Sequence, residues 1–164
     1  MIGQTYWIRV SNLAGASSTP SITICVFGSD PVANDECSSA TALTVGTTCL
    51  PTAGSLVGAS ISNQVSNCPV ANDVWYSFVA TAALTNVRIT GGADADLVYS
   101  LHSSICAAFS PSTCVNNGGV GEEEQETYSN LVVGQTYRIR IWNLGGATPS
   151  APGMAIRPSI SPSC

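Results

Sequence analysis

The chain states one short pattern twice. Residues 3–13 read Gly-Gln-Thr-Tyr-Trp-Ile-Arg-Val-Ser-Asn-Leu, and residues 134–144 read Gly-Gln-Thr-Tyr-Arg-Ile-Arg-Ile-Trp-Asn-Leu, 131 positions further on. Self-similarity at a fixed period is the signature of a protein built from copies of one module. The second copy closes a full-length unit, whereas the first opens the chain, with Met1 in the place held by Val132. The expected organisation is therefore a C-terminal hairpin of a preceding or partner module at 1–28, a linker at 29–36, and a complete module at 37–164. Met1 marks either a true start or an edge within a longer reading frame, and no signal peptide is visible ahead of the repeat.

Helical periodicity is absent over any useful length, and alternation is frequent, so the fold class is all-β. In Tyr137-Arg138-Ile139-Arg140-Ile141-Trp142, positions 137, 139 and 141 share one face and 138, 140 and 142 the other. Tyr6, Ile8 and Val10 repeat the inward set. A further strand at Ile22–Val26 has its weaker counterpart at 154–156, and each copy is expected to end in a hairpin. Further strand candidates are 42–45, 55–59, 74–80, 84–90, 95–102 and 124–129. Together these give about eight short strands at the spacing of an antiparallel β-sandwich. Gly91-Gly92, Asn116-Asn117-Gly118-Gly119 and Gly145-Gly146 provide the turns.

Composition limits the partners. The chain has 164 residues, a net charge of −5, 9% charged residues and no lysine. Phosphate backbones and anionic lipid surfaces demand clustered basic groups, so nucleic acid and membrane surface are excluded as partners. No stretch reaches the roughly 18 apolar residues of a membrane-spanning helix. Seven cysteines in a charge-poor, Gly- and Ser-rich chain place it in an oxidising compartment, outside the cell.

Four ordered motifs carry a resemblance: Asn34-Asp35-Glu36-Cys37, Asp73-Val74-Trp75-Tyr76-Ser77-Phe78, Asp94-Ala95-Asp96-Leu97 and Val133-Gly134-Gln135-Thr136-Tyr137. They resemble modules repeated in large secreted and surface proteins of Bacteroidota, similar to the bacterial pre-peptidase C-terminal (PPC-like) β-sandwich. The resemblance covers 31–164 as a unit and 1–28 as the tail of another. It implies a jelly-roll-like sandwich with an accessory or structural role and no reaction. The chain departs from that pattern at its end, where Arg157 or its neighbour stands in place of a closing cysteine.

The cysteines are expected to staple the sandwich. Cys106 and Cys114, separated by seven residues including Pro111, suit a local disulfide. The resemblance, more than geometry, implies Cys49 with Cys68. Cys37 is left to bond either Cys164, tying the start of the module to its end, or Cys25, across the linker. One thiol remains in either case, free or bridging to another chain. Zinc is not expected, with no CxxC pair and one histidine.

A catalytic constellation is missing. His102 lies on the same strand face as Val98 and Ser100 and reads as a strand-end residue, and no Gly-x-Ser-x-Gly elbow presents a nucleophile. The Gly-rich stretches lack the spacing of phosphate cradles. Asp94 and Asp96, with the acidic cluster Glu122, Glu123, Glu124 and Glu126, offer oxygen ligands for Ca²⁺, but they also read as a solvated loop with an Asp-stabilised turn. No other cofactor is expected. Trp75 falls mid-strand and reads as core or inter-sheet packing. Trp7 aligns with Arg138 and Trp142 with Ser11, so no shared aromatic platform for sugars emerges.

The expected function is non-enzymatic: a structural repeat or subunit of an extracellular bacterial surface protein or filament. It would assemble head to tail with copies of itself or adjacent modules by strand complementation through Tyr6, Ile8, Val10, Ile22 and Ile24. The alternative is an accessory glycan- or protein-binding module of a secreted hydrolase or adhesin.

Overall fold

The computed structural model describes residues 5–11, 21–26, 31–48, 50–62, 71–103, 105–106, 113–145 and 154–159. Among the described residues, a 3-10 turn at Cys37–Ser39 precedes nine strands: β1 (Thr41–Ala42), β2 (Thr52–Gly54), β3 (Asp73–Val79), β4 (Thr85–Thr90), β5 (Leu97–His102), β6 (Cys114–Val115), β7 (Glu123–Tyr128), β8 (Thr136–Asn143) and β9 (Met154–Ser159). They form a five-stranded sheet, β1-β3-β8-β5-β6, and a four-stranded sheet, β2-β9-β4-β7. Every pairing is antiparallel except β1 with β3. Among these strands only β5 and β6 follow each other within one sheet; every other connection crosses to the opposite sheet, as in a jelly roll.

Alternation explains why the sheets face each other. Val74, Tyr76 and Phe78 of β3, Tyr137, Ile139 and Ile141 of β8, and Leu97 and Tyr99 of β5 meet Val87 and Ile89 of β4 and Ile156 of β9 in one core. Each such side chain removed from water contributes roughly 1.5–3 kcal/mol. Leu43, Leu56 and Leu131 close the ends of that core from the loops.

The strands expected at 74–80, 84–90, 95–102, 124–129 and 137–142 form to within two residues of those limits. The stretch at 55–59 does not: the ladder is made instead by β2, just before it, and Leu56 and Ala59 fill the core from a turn. Nor do the last two strands make a hairpin. β8 pairs with β3 and β5, while β9 pairs with β2 and β4 in the other sheet. The Gly- and Pro-rich connection between them is thus a crossover.

Asn34 and Asp35, from the stretch expected as a linker, are built into the module. Asn34 exchanges bonds with the backbone of Trp75, its side-chain amide donating to the carbonyl at 2.9 Å and its own carbonyl accepting the N–H at 2.8 Å. Both Asp35 carboxylate oxygens accept from Ser60, one from its N–H and one from its hydroxyl. The described residues of 1–28, by contrast, lie in neither sheet and are exposed throughout.

The disulfide framework differs from expectation. Cys37 bonds Cys106, with Cα atoms 5.6 Å apart. Cys106 therefore does not pair with Cys114, and Cys37 pairs with neither Cys164 nor Cys25. The β5–β6 register carries Cys114 back alongside Ser100, whereas Cys106 stands beyond the His102 end of β5, over the start of the module. Cys114 is disulfide-bonded as well. Cys49, Cys68 and Cys164 lie outside the described residues. Cys25 is a free, exposed thiol.

Candidate functional site

Two arrangements of polar side chains stand out, one sealed and one open. The sealed one covers the outer face of the five-stranded sheet. Period-2 alternation turns Asp73 and Trp75 of β3, Val98, Ser100 and His102 of β5, and Arg140 and Trp142 of β8 away from the inter-sheet core, yet all seven are buried. The Ser60–Ser62 stretch accounts for part of that cover, with Ser62 bonded to both Asp73 and Trp75. Trp75 is therefore core, but not inter-sheet.

Part of the charge on this face is met locally, while Arg140 Nε and Nη1 are buried without a hydrogen-bond partner among the described residues. Arg140 Nη2 donates to Asp73 Oδ2 at 2.6 Å with both side chains fully buried. The Ser62 hydroxyl donates to Asp73 Oδ1 at 2.5 Å and accepts from the Trp75 indole N–H at 2.8 Å. The Arg140 guanidinium also lies 5.3 Å from the Trp142 ring centre, a cation–π distance. His102 bonds the Ser100 hydroxyl at 3.0 Å and packs its ring 5.5 Å from that of Trp75. Burial, and next the positive charge of Arg140, lower its pKa to about 4. A neutral His102 with Ser100 beside it is a buried polar pair on this face.

The open arrangement lies along the edge where β6 of one sheet faces β7 of the other. A cleft of about 540 Å³ opens there, lined by Leu101, Ser103, Val115, Asn117, Tyr128 and Tyr137 among others, with Glu126 at its rim. This volume is in the range of small-molecule sites. Its chemistry follows from the β4–β7 register, which sets Glu124 opposite Ile89, Glu126 opposite Val87 and Tyr128 opposite Thr85. Glu124, Glu126 and Tyr128 thus share the inward face of an edge strand. Glu124, fully buried, accepts the backbone N–H groups of Asn117 and Gly118 and so ties the β6–β7 loop down. Tyr128 is bonded to Tyr99, and burial raises its pKa to about 12, with Glu126 adding to the rise. The Tyr99 hydroxyl donates to the Val87 carbonyl, and burial keeps that phenol protonated as well. The Tyr137 hydroxyl accepts the Val132 N–H at 2.8 Å. The cleft therefore presents tyrosine rings, hydroxyl and amide groups and a single carboxylate, with no cation among the residues named.

The acidic residues foreseen as calcium ligands are placed in two adjoining loops. Asp94 is exposed in the turn before β5, and Asp96 is half-buried with its N–H donating to Asn143 Oδ1 at 2.8 Å. Gly121 N–H bonds the Ala95 carbonyl at 2.7 Å, which brings the Glu122 loop alongside. Glu123 pairs with Arg88 at 3.0 Å, and Glu122 accepts the Gly119 N–H. Among the described residues, no three acidic, histidine or cysteine side chains are gathered as an ion-binding set. Tyr6, Ile8, Val10, Ile22 and Ile24 are exposed.

Reading the strands singly misses the cleft. Glu126 reads as part of a solvated acidic run, Asn117 as a turn residue and Tyr137 as core. The available signal was alternation in β7, which sets Glu124, Glu126 and Tyr128 on one face.

A two-sheet sandwich of jelly-roll connectivity with an open groove at one edge defines the class: a jelly-roll-like β-sandwich module. Residues 33–151 match the galactose binding domain-like family associated with T9SS, and the chain belongs to that family. That association is with secreted or cell-surface proteins of Bacteroidota. No curated protein matches the chain.

Proposed function

We propose that this chain is a non-enzymatic accessory module of an extracellular or cell-surface Bacteroidota protein, and that the β6–β7 cleft binds a neutral glycan. The observation that carries this is the cleft itself: tyrosine rings beside hydroxyl and amide groups suit the apolar faces and hydroxyl edges of sugars, in a chain of a galactose binding domain-like family. The motifs similar to PPC-like modules support the same accessory role. The test is titration of the full chain with galactose and with neutral and sialylated oligosaccharides, followed by amide NMR. Shifts confined to Asn117, Glu126 and Tyr128, abolished by Tyr128→Ala, are the expected result. Shifts elsewhere, or none at millimolar sugar, overturn it.

A second reading is favoured by one specific observation. Tyr6, Ile8, Val10, Ile22 and Ile24 are all more than half exposed, at 71, 66, 55, 61 and 54%. Five apolar side chains in a copy of a core-forming pattern support a structural repeat that assembles head to tail by strand complementation, in a surface filament or an adhesive array.

A further inference from the structure

We propose that residues 5–11 and 21–26 are the β8 and β9 of a second sandwich of this fold, seated at the centre of its two sheets and not added to a sheet edge. This inference rests on the assembly reading and says what the assembling surface engages.

The internal repeat makes the comparison residue by residue. Tyr6, Ile8 and Val10 stand where Tyr137, Ile139 and Ile141 stand. The latter are 5, 0 and 0% exposed in the core, while the former are 71, 66 and 55% exposed. Ile22 and Ile24 correspond to Met154 and Ile156, across a connection one residue shorter, and the same contrast holds: 61 and 54% against 6 and 0%.

The topology then dictates the kind of surface that would cover them. β8 runs between β3 and β5, and β9 between β2 and β4, in opposite sheets. Neither is an edge strand, and the two do not pair with each other. A segment carrying both sequences fits two interior places in one sandwich, whereas a hairpin laid on a sheet edge would bury only part of it. Arg9 narrows the partner further. It stands where Arg140 stands, and Arg140 is neutralised by Asp73 of β3. The partner is therefore a β1–β7 set of this fold with both central places open and a carboxylate at the Asp73 position.

The test joins a second copy of residues 31–132 ahead of Ile2 in the full chain, which preserves the spacing because Met1 stands at the place of Val132. Residue-resolved hydrogen exchange is read at residues 6–10 and 22–26, with β3 of the original module as the internal standard. An interior strand bonds on both sides, so consecutive amides are expected to slow by at least 100-fold, and Ile8→Asp is expected to abolish that protection without changing β3. Protection of alternate amides only would overturn the interior placement and leave edge assembly standing. Exchange unchanged from the chain without the added copy, or protection that survives Ile8→Asp, would overturn the inference as well.

Discussion

Asp73 and Arg140 show what a buried charge demands of its neighbours. Each is removed from water, and the ion pair, two bonds from Ser62 to Asp73 and the Trp142 ring replace only part of that water, since Arg140 Nε and Nη1 find no hydrogen-bond partner among the described residues. Removing one partner strands the other, so Asp73→Ala is expected to cost about 3–5 kcal/mol in urea unfolding. Exchanging the whole pair for apolar side chains of similar volume is expected to cost much less. His102 adds a pH dependence to the same face. Its pKa falls from 6.5 in the unfolded chain to about 4 in the fold, through burial first and Arg140 second. Between those values the unfolded state binds more protons, so stability increases with pH. It is expected to be full above about pH 6.5, to fall as pH drops toward about 4, and to lose nothing further from this group below that. Unfolding midpoints from pH 4 to 7 check this, and His102→Gln should flatten that part of the profile.

Among the elements, β2 is held to the sandwich by a close approach. A Cβ on Gly54 would collide with the Tyr76 hydroxyl and press on Met154, with 3.1 Å to its Cγ. Gly54→Ala should therefore destabilise by about 1–3 kcal/mol, measured by chemical denaturation, although β2 is otherwise a short edge strand. The Cys37–Cys106 link acts on a larger loop, 69 residues in separation, and ties the 3-10 turn to the segment after β5. Replacing both cysteines by serine is expected to cost about 2–4 kcal/mol. The pairing was illegible because closeness along the chain is a poor guide once β6 folds back beside Ser100. Strand positions were legible for the opposite reason, since two-residue alternation is a local consequence of burying one face.

For the whole molecule, the described residues of 1–28 are expected to contribute little to the stability of the sandwich. Residues 5–11 and 21–26 join neither sheet, so deleting 1–28 should shift the unfolding free energy of the module by less than about 0.5 kcal/mol, by calorimetry or urea titration. A larger loss would show that this segment folds back onto its own module. The deletion should also leave the β6–β7 cleft intact, which separates glycan binding from assembly in one variant.

The amino-acid sequence by itself determined the all-β class, the position of most strands, the inward face of β8, and the repeat that links residues 3–13 to 134–144. All of these are written in spacing along the chain. Only the tertiary structure decided that β8 and β9 belong to opposite sheets, that Trp75 and Arg140 lie beneath a second layer of loops, that Cys37 reaches Cys106, and that Glu126 and Tyr128 face Leu101 and Val115 across a cleft. Each of those depends on which strands become neighbours. Alternation tells a strand which side to bury, but the same alternation satisfies either sheet, and long-range packing selects between them.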